Sequence, residues 1–176
     1  MSANLPSSFS FLASQTPRDF IGLGVVQLPK RNFFQSISDF FAARSGNQRI
    51  SFFLLGAHEI KVVHYQGANV LGSVDIPNTL GSVDIPKNLI ESIEIHASKT
   101  ADGLVVISNI ELTECISVND KGVKKLKNHQ FNLMPALLGE NTSPVNNVND
   151  IVWAQESRKT IVETLNAWNE SIQANN

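Results

Sequence analysis

The chain has 176 residues, of which 42% are apolar and 17% charged, with a net charge of -2 and a single cysteine, Cys115. That length suits one domain with a self-sufficient core. The charge balance excludes a protein that coats nucleic acid through overall positive charge, and the lone cysteine excludes an internal disulfide and gives no sign of an oxidising compartment.

Residues 1–17 are rich in Ser, Pro and Asn, with Phe9, Phe11 and Leu12 as their sizeable apolar anchors, so 1–19 reads as an arm pinned at one point. No basic region precedes its short apolar stretch, and no apolar run approaches the roughly 20 residues that span a bilayer. The cytoplasm is the expected location. Residues 20–28 (FIGLGVVQL) are β-branched, punctuated by glycine and stopped by Pro29, the pattern of a bent first strand, and Lys30 and Arg31 follow in a turn.

Residues 33–44 (FFQSISDFFAAR) read two ways. Phe33, Phe34, Ile37, Phe40 and Phe41 recur at helical spacing, and Gly46 is placed to close a helix. A strand would put Phe33, Ile37 and Phe41 on one face, and it is the strand that is carried forward, because pairing and burial outweigh the small intrinsic preference of so short a segment. Residues 49–55 (RISFFLL) form a strand with both faces at least partly covered. After Gly56, residues Ala57, Ile60, Val63 and His64 recur at spacings that suit a short helix, with a second hairpin strand as the competing reading.

The segment 71–77 (LGSVDIP) recurs identically at 80–86. Two copies are too few for a solenoid, so a surface loop or peripheral hairpin with a duplicated insert is expected over 66–89. Residues 90–97 alternate cleanly, Asp102 and Gly103 mark a turn, and 104–118 is rich in Val and Ile, which together signal a hairpin. Asn119 to Gly122 mark the next turn. Lys121, Lys124, Lys125 and Lys127 follow as a basic cluster that reads as a solvated edge. Residues 140–149 are loop by composition and precede a helix at about 150–173, whose stripe of Ile151, Ala154, Ile161, Leu165, Trp168 and Ile172 must pack on something.

No nucleophile elbow, phosphate loop, zinc signature or calcium loop occurs, so no catalysis, metal or cofactor is expected. His58 and His64 with Glu59 between them lack a third ligand. Glu91, Glu94, Glu111 and Glu114 could meet across adjacent strands, although solvated strand faces are commoner.

The strand at 21–26 followed by Lys30 and Arg31, the apolar element ending in Ala42 and Ala43, and residues 52–63 (FFLLGAHEIKVV) together resemble the bacterial single-stranded-DNA-binding protein family and its replication-associated relatives on integrative mobile elements. Residues 104–122 look like the closing strands of the same relatives. The duplicated insert, the C-terminal helix and the lack of an acidic tip at 173–176 depart from that pattern, so recruitment of replication partners is not implied.

The resemblance implies a mainly β, α+β fold: an OB-like antiparallel barrel over 20–127, followed by an extension over 128–176 that carries the helix. It also implies a role in DNA replication as a homo-oligomer that binds single-stranded DNA in preference to RNA. Stacking on aromatic rings beside cations is the chemistry such binding needs. Phe34 and Phe53 are the candidate base platforms, with Lys30, Arg31, Arg44, Arg49 and Lys99 as phosphate contacts. The alternative, suggested by the low charge, is a structural or adaptor subunit of a larger assembly of phage or secretion-system type.

Overall fold

The computed structural model describes residues 5–27, 49–66, 78–133 and 148–175. The segment 33–44, the first repeat copy at 71–77 and most of the loop 140–149 lie outside them. Seven strands are present among the described residues: β1 (Phe20–Gln27), β2 (Arg49–Gly56), β3 (Glu59–Gln66), β4 (Asn78–Pro86), β5 (Ile90–Lys99), β6 (Val105–Val118) and β7 (Lys124–Leu133). One helix follows among the described residues, α1 (Val148–Asn175). It is not apolar enough to cross a membrane.

All pairings are antiparallel, and the sheet order is β4-β3-β2-β1-β7-β6-β5. The sheet is therefore two meanders, joined where β1 meets β7 over just Val26↔Leu133 and Gln27↔Asn132. At the other end, β4 and β5 lie at opposite limits of the order yet are separated in sequence by a single 3-10 turn, Lys87–Leu89. The sheet must curl to bring those limits together, and Ile85 and Ile90 from the two strands are buried in one core. An OB barrel has five strands in Greek-key order. The described strands run up and down instead, and α1 follows them all.

Strand β2 carries apolar side chains on both faces because both are covered. Phe53 and Leu55 point into the inner core with Ile60, Val62 and Ile110, while Phe52 and Leu54 face an outer core with Leu23, Val25 and Tyr65. The N-terminal arm supplies the cover for that outer face. Phe9 and Leu12, from the 3-10 turn Ser7–Leu12, are fully buried there, and Phe11 sits edge-on to Phe52 and Tyr65 at 5.6 and 5.5 Å.

Residues 59–66 are a strand rather than the expected short helix. Ile60 and Val62 fill the inner core while Val63 and Tyr65 fill the outer one, and burying both faces erases the alternation that would have marked a strand. Of the two forms expected for the repeat, a surface loop or a peripheral hairpin, the second copy takes the hairpin, at the edge of the sheet. Residues 80–86 lie within β4, paired to β3 from Glu59↔Pro86 to Gln66↔Asn78, with Ile85 fully buried.

The helix completes the inner core with Ile161, Leu165 and Trp168, and Ala154 is buried on the same stripe. It also satisfies strand backbone that the open sheet leaves unpaired. Leu23 N–H donates to Ser157 Oγ at 2.8 Å, and that hydroxyl donates to Leu23 O at 3.2 Å. Val105 N–H donates to Gln155 Oε1 at 3.0 Å, and Ile93 N–H donates to Asn169 Oδ1 at 3.3 Å. Glycine at position 22 permits this approach, since a Cβ there would lie 2.8 Å from Ile161 Cγ1 and 3.0 Å from Ser157 Oγ. Because β7 runs to Leu133 and α1 shares the inner core, the structural unit continues past residue 127 through the helix.

Candidate nucleic-acid interface

The residues expected to bind nucleic acid divide into three groups. Lys30, Arg31, Phe34 and Arg44 lie outside the described residues. Arg49 opens β2 opposite Gln66, and Lys99 is exposed at the end of β5 opposite Val105. Phe53 corrects the expectation: it is 0% exposed and meets Phe131 edge-on at 5.4 Å, so no base can stack on it. A Phe pair in a strand covered on both sides sends one ring into each core, as Phe52 and Phe53 do.

The described structure does project another element. From Ile116 to Asn128 every residue of the β6–β7 hairpin is exposed. Its tip is fixed by Asn119, whose Oδ1 accepts from Lys121 N–H at 3.0 Å and Val123 N–H at 2.8 Å, while Gly122 takes the positive φ of 77° that closes the turn. Along the arms Val118 pairs with Lys124, Ser117 with Lys125, Cys115 with Leu126 and Glu114 with Lys127. Four lysines thus stand on one narrow hairpin, and between Ile116 and Asn128 Asp120 is the sole acid. Between them Ile116, Val118, Val123 and Leu126 are 43 to 62% exposed.

The hairpin is tied to the rest of the sheet by two polar contacts. Glu114 and His129 meet at 2.8 Å with both side chains nearly buried, and the His129 ring stacks on Phe131. Lys124 Nζ reaches Glu91 at 2.6 Å, and that hydrogen bond raises the lysine pKa above its ordinary value. Beside this pair lies a cleft of about 520 Å³ lined in part by His58, Lys87, Glu91, Lys124 and Ile172. Lys87 also holds its ammonium 5.2 Å from the Trp168 ring, a cation–π contact.

The outer face of β5–β7 is opposite in character. Glu94 and Glu111 face each other across β5 and β6, and Asn109 and Gln130 donate to Glu111. A phosphate backbone would be repelled there. Of the four glutamates considered as a carboxylate group, Glu94 and Glu111 do stand opposite each other, Glu94 also lying 3.3 Å from His96, while Glu91 is engaged by Lys124 and Glu114 by His129. His64 accepts or donates a 2.7 Å hydrogen bond with Ser51 Oγ, and among the described residues no group of three or more metal-ligating side chains assembles. The lysine hairpin is the feature that reading the sequence undervalued. Its signal was present as four lysines in seven residues beside a tight turn, but nothing in the sequence says that this edge projects.

Compared with protein-family models, with curated proteins and with solved structures, the chain gives no match.

Proposed function

We propose that this chain binds single-stranded nucleic acid, DNA in preference to RNA, without catalysing a reaction, and that the β6–β7 hairpin is its principal contact. The observation that supports this is the exposure of four lysines together with four aliphatic side chains on one projecting hairpin. Lysines attract phosphates by releasing condensed counterions. Aliphatic side chains find apolar partners in the faces of unstacked bases, which a duplex hides, so the pairing of the two residue types favours a single strand. The likeness to OB-like proteins is one of working principle, a curled antiparallel sheet that offers hairpins to a strand, and the acidic face of β5–β7 directs the strand away from the rest of that half of the sheet.

A second reading as a structural or adaptor subunit rests on the same aliphatic residues, which could cover a protein surface. Salt separates the two. In fluorescence anisotropy with a labelled oligothymidylate, binding should weaken as salt rises, and the Lys125→Ala/Lys127→Ala variant should lower the log–log slope by about 1.4 at roughly 0.7 per phosphate contact. Absence of binding at low salt, or an unchanged slope in the variant, would overturn the nucleic-acid reading and leave the adaptor.

A further inference from the structure

The repeat is longer than its seven identical residues. Residues 69–77 read NVLGSVDIP and residues 78–86 read NTLGSVDIP, so eight of nine positions agree, and the second unit coincides with the whole of strand β4, Asn78–Pro86. A complete strand of the sheet therefore has a near-copy directly ahead of it in the chain. We infer that the two copies compete for the same place beside β3, so that this edge of the sheet exists in two registers nine residues apart.

The sequence of residues 69–77 meets each demand that β3 makes of β4. Inward, Ile85 pairs with Ile60 and Val83 with Val62, and Ile76 and Val74 stand at the same places in the first copy. Outward, Asp84 lies 3.8 Å from Lys61, a role open to Asp75. At the bulge between His64 and Tyr65 the partner is Gly81, whose φ of 143° excludes most side chains, and the first copy has Gly72 there. Pro86 ends the strand opposite Glu59, as Pro77 would.

Connection lengths also permit the exchange. In the register seen, residues 67–77 link β3 to β4 and a 3-10 turn links β4 to β5. In the shifted register Gln66 pairs with Asn69, leaving Gly67 and Ala68 as a two-residue hairpin loop with glycine first, a favoured type II′ arrangement. The nine residues freed from β4 then lengthen the connection to β5. Chain is moved from one loop to the other, and closure entropy depends only weakly on such lengths.

The one position at which the copies differ sets the balance. Thr79 pairs with Tyr65, and its side chain hydrogen-bonds the buried phenol, whereas the first copy offers Val70, which has no hydroxyl. As partners for β3 the two copies thus differ by a single side-chain hydrogen bond. Exchanging the two residues, Val70→Thr with Thr79→Val, reverses the preference.

Disulfide trapping tests this in a Cys115→Ser background under a mild redox buffer, with intramolecular bonds located by peptide mapping. Lys61→Cys with Asp84→Cys should crosslink in the register seen, and Lys61→Cys with Asp75→Cys should crosslink in the shifted one. Adding the Val70/Thr79 exchange should raise the second yield about twenty-five-fold relative to the first, because one ordinary hydrogen bond, worth about fivefold, is taken from the register seen and given to the shifted one. A control, Lys61→Cys with Asn69→Cys, should stay reduced, since Asn69 in the shifted register would lie opposite Gln66, five residues along the strand. An Asp75 pair that never crosslinks where the Asp84 pair does, an Asn69 pair that crosslinks equally well, or an exchange without effect would each overturn the inference. None of these outcomes depends on what the lysine hairpin binds.

Discussion

Replacing Gly22 with alanine tests the way α1 closes the sheet. The added methyl would stand 2.8 Å from Ile161 Cγ1, 3.0 Å from Ser157 Oγ and 3.1 Å from Ser157 O. Two of these atoms belong to the residue that bonds both backbone groups of Leu23, and the third is a fully buried branch, so no flexible side-chain tip can swing away. The helix has to lift from β1. Overpacking of this kind costs about 1 to 3 kcal/mol, and leaving the Leu23 backbone without partners adds about 1 to 3 kcal/mol. A loss of about 2 to 6 kcal/mol is expected in urea unfolding followed by tryptophan fluorescence. Because the damage passes through the helix contact, the same substitution should cost less in an Ile161→Ala background, where room has already been made. A Gly22→Ala protein within about 0.5 kcal/mol of the parent, the ordinary range for surface substitutions, would refute the reasoning, as would full additivity with Ile161→Ala.

Trp168 is 3% exposed and packs in the inner core, so Trp168→Ala should lower the unfolding free energy by about 3 to 5 kcal/mol in denaturant titration; a loss under 1 kcal/mol would mean that the helix does not pack on the sheet in solution. Burial raises the Tyr65 pKa, with the Thr79 hydrogen bond acting against it. A phenol whose folded pKa lies above its unfolded value stabilises the fold fully below the unfolded pKa and loses that contribution as pH rises through the folded one. Thermal unfolding should therefore fall more steeply above about pH 10 in the parent than in Tyr65→Phe, and parallel profiles would contradict the burial of Tyr65. Deleting residues 78–86 brings 69–77 directly ahead of Lys87 and should cost about 0.5 to 1.5 kcal/mol, the worth of the Thr79 hydrogen bond; an unfolded deletion protein would show that the first copy cannot serve as β4.

The elements legible in the sequence are those whose two faces differ, or whose ends carry turn chemistry. Strand β1 ends close to Pro29, β5 and β6 flank the Asp102–Gly103 turn, and α1 shows its stripe of Ala154, Ile161, Leu165 and Trp168, all buried as the spacing predicts. Strand β3 is illegible for the converse reason. With Ile60 and Val62 inward and Val63 and Tyr65 outward, its apolar residues follow no period of two, and Ala57, Ile60 and Val63 fall at helical spacing by coincidence. Strand β4 is hidden by its own repetition, since a duplicated segment looks like an insert whichever copy the sheet uses.

The same physics explains why the expected site and the projecting one differ. Aromatic residues are the strongest signal of a stacking surface in a sequence, yet in this chain the arm covers the outer face of β1–β3 and turns Phe52 into core, while Phe53 is buried in the inner core on the other side of the sheet. Among the described residues the phenylalanines therefore mark where the fold is thickest, three layers deep from the arm through the sheet to the helix. A binding surface has to be sought where the layers run out. Past Cys115 and His129 neither arm nor helix covers the β6–β7 hairpin, and side chains that would be core elsewhere, Ile116, Val118, Val123 and Leu126, remain in water among lysines. Leaving four aliphatic side chains exposed forgoes the burial that stabilises the rest of the chain, and on a hairpin held rigid by Asn119 and Gly122 that surface is available to a partner.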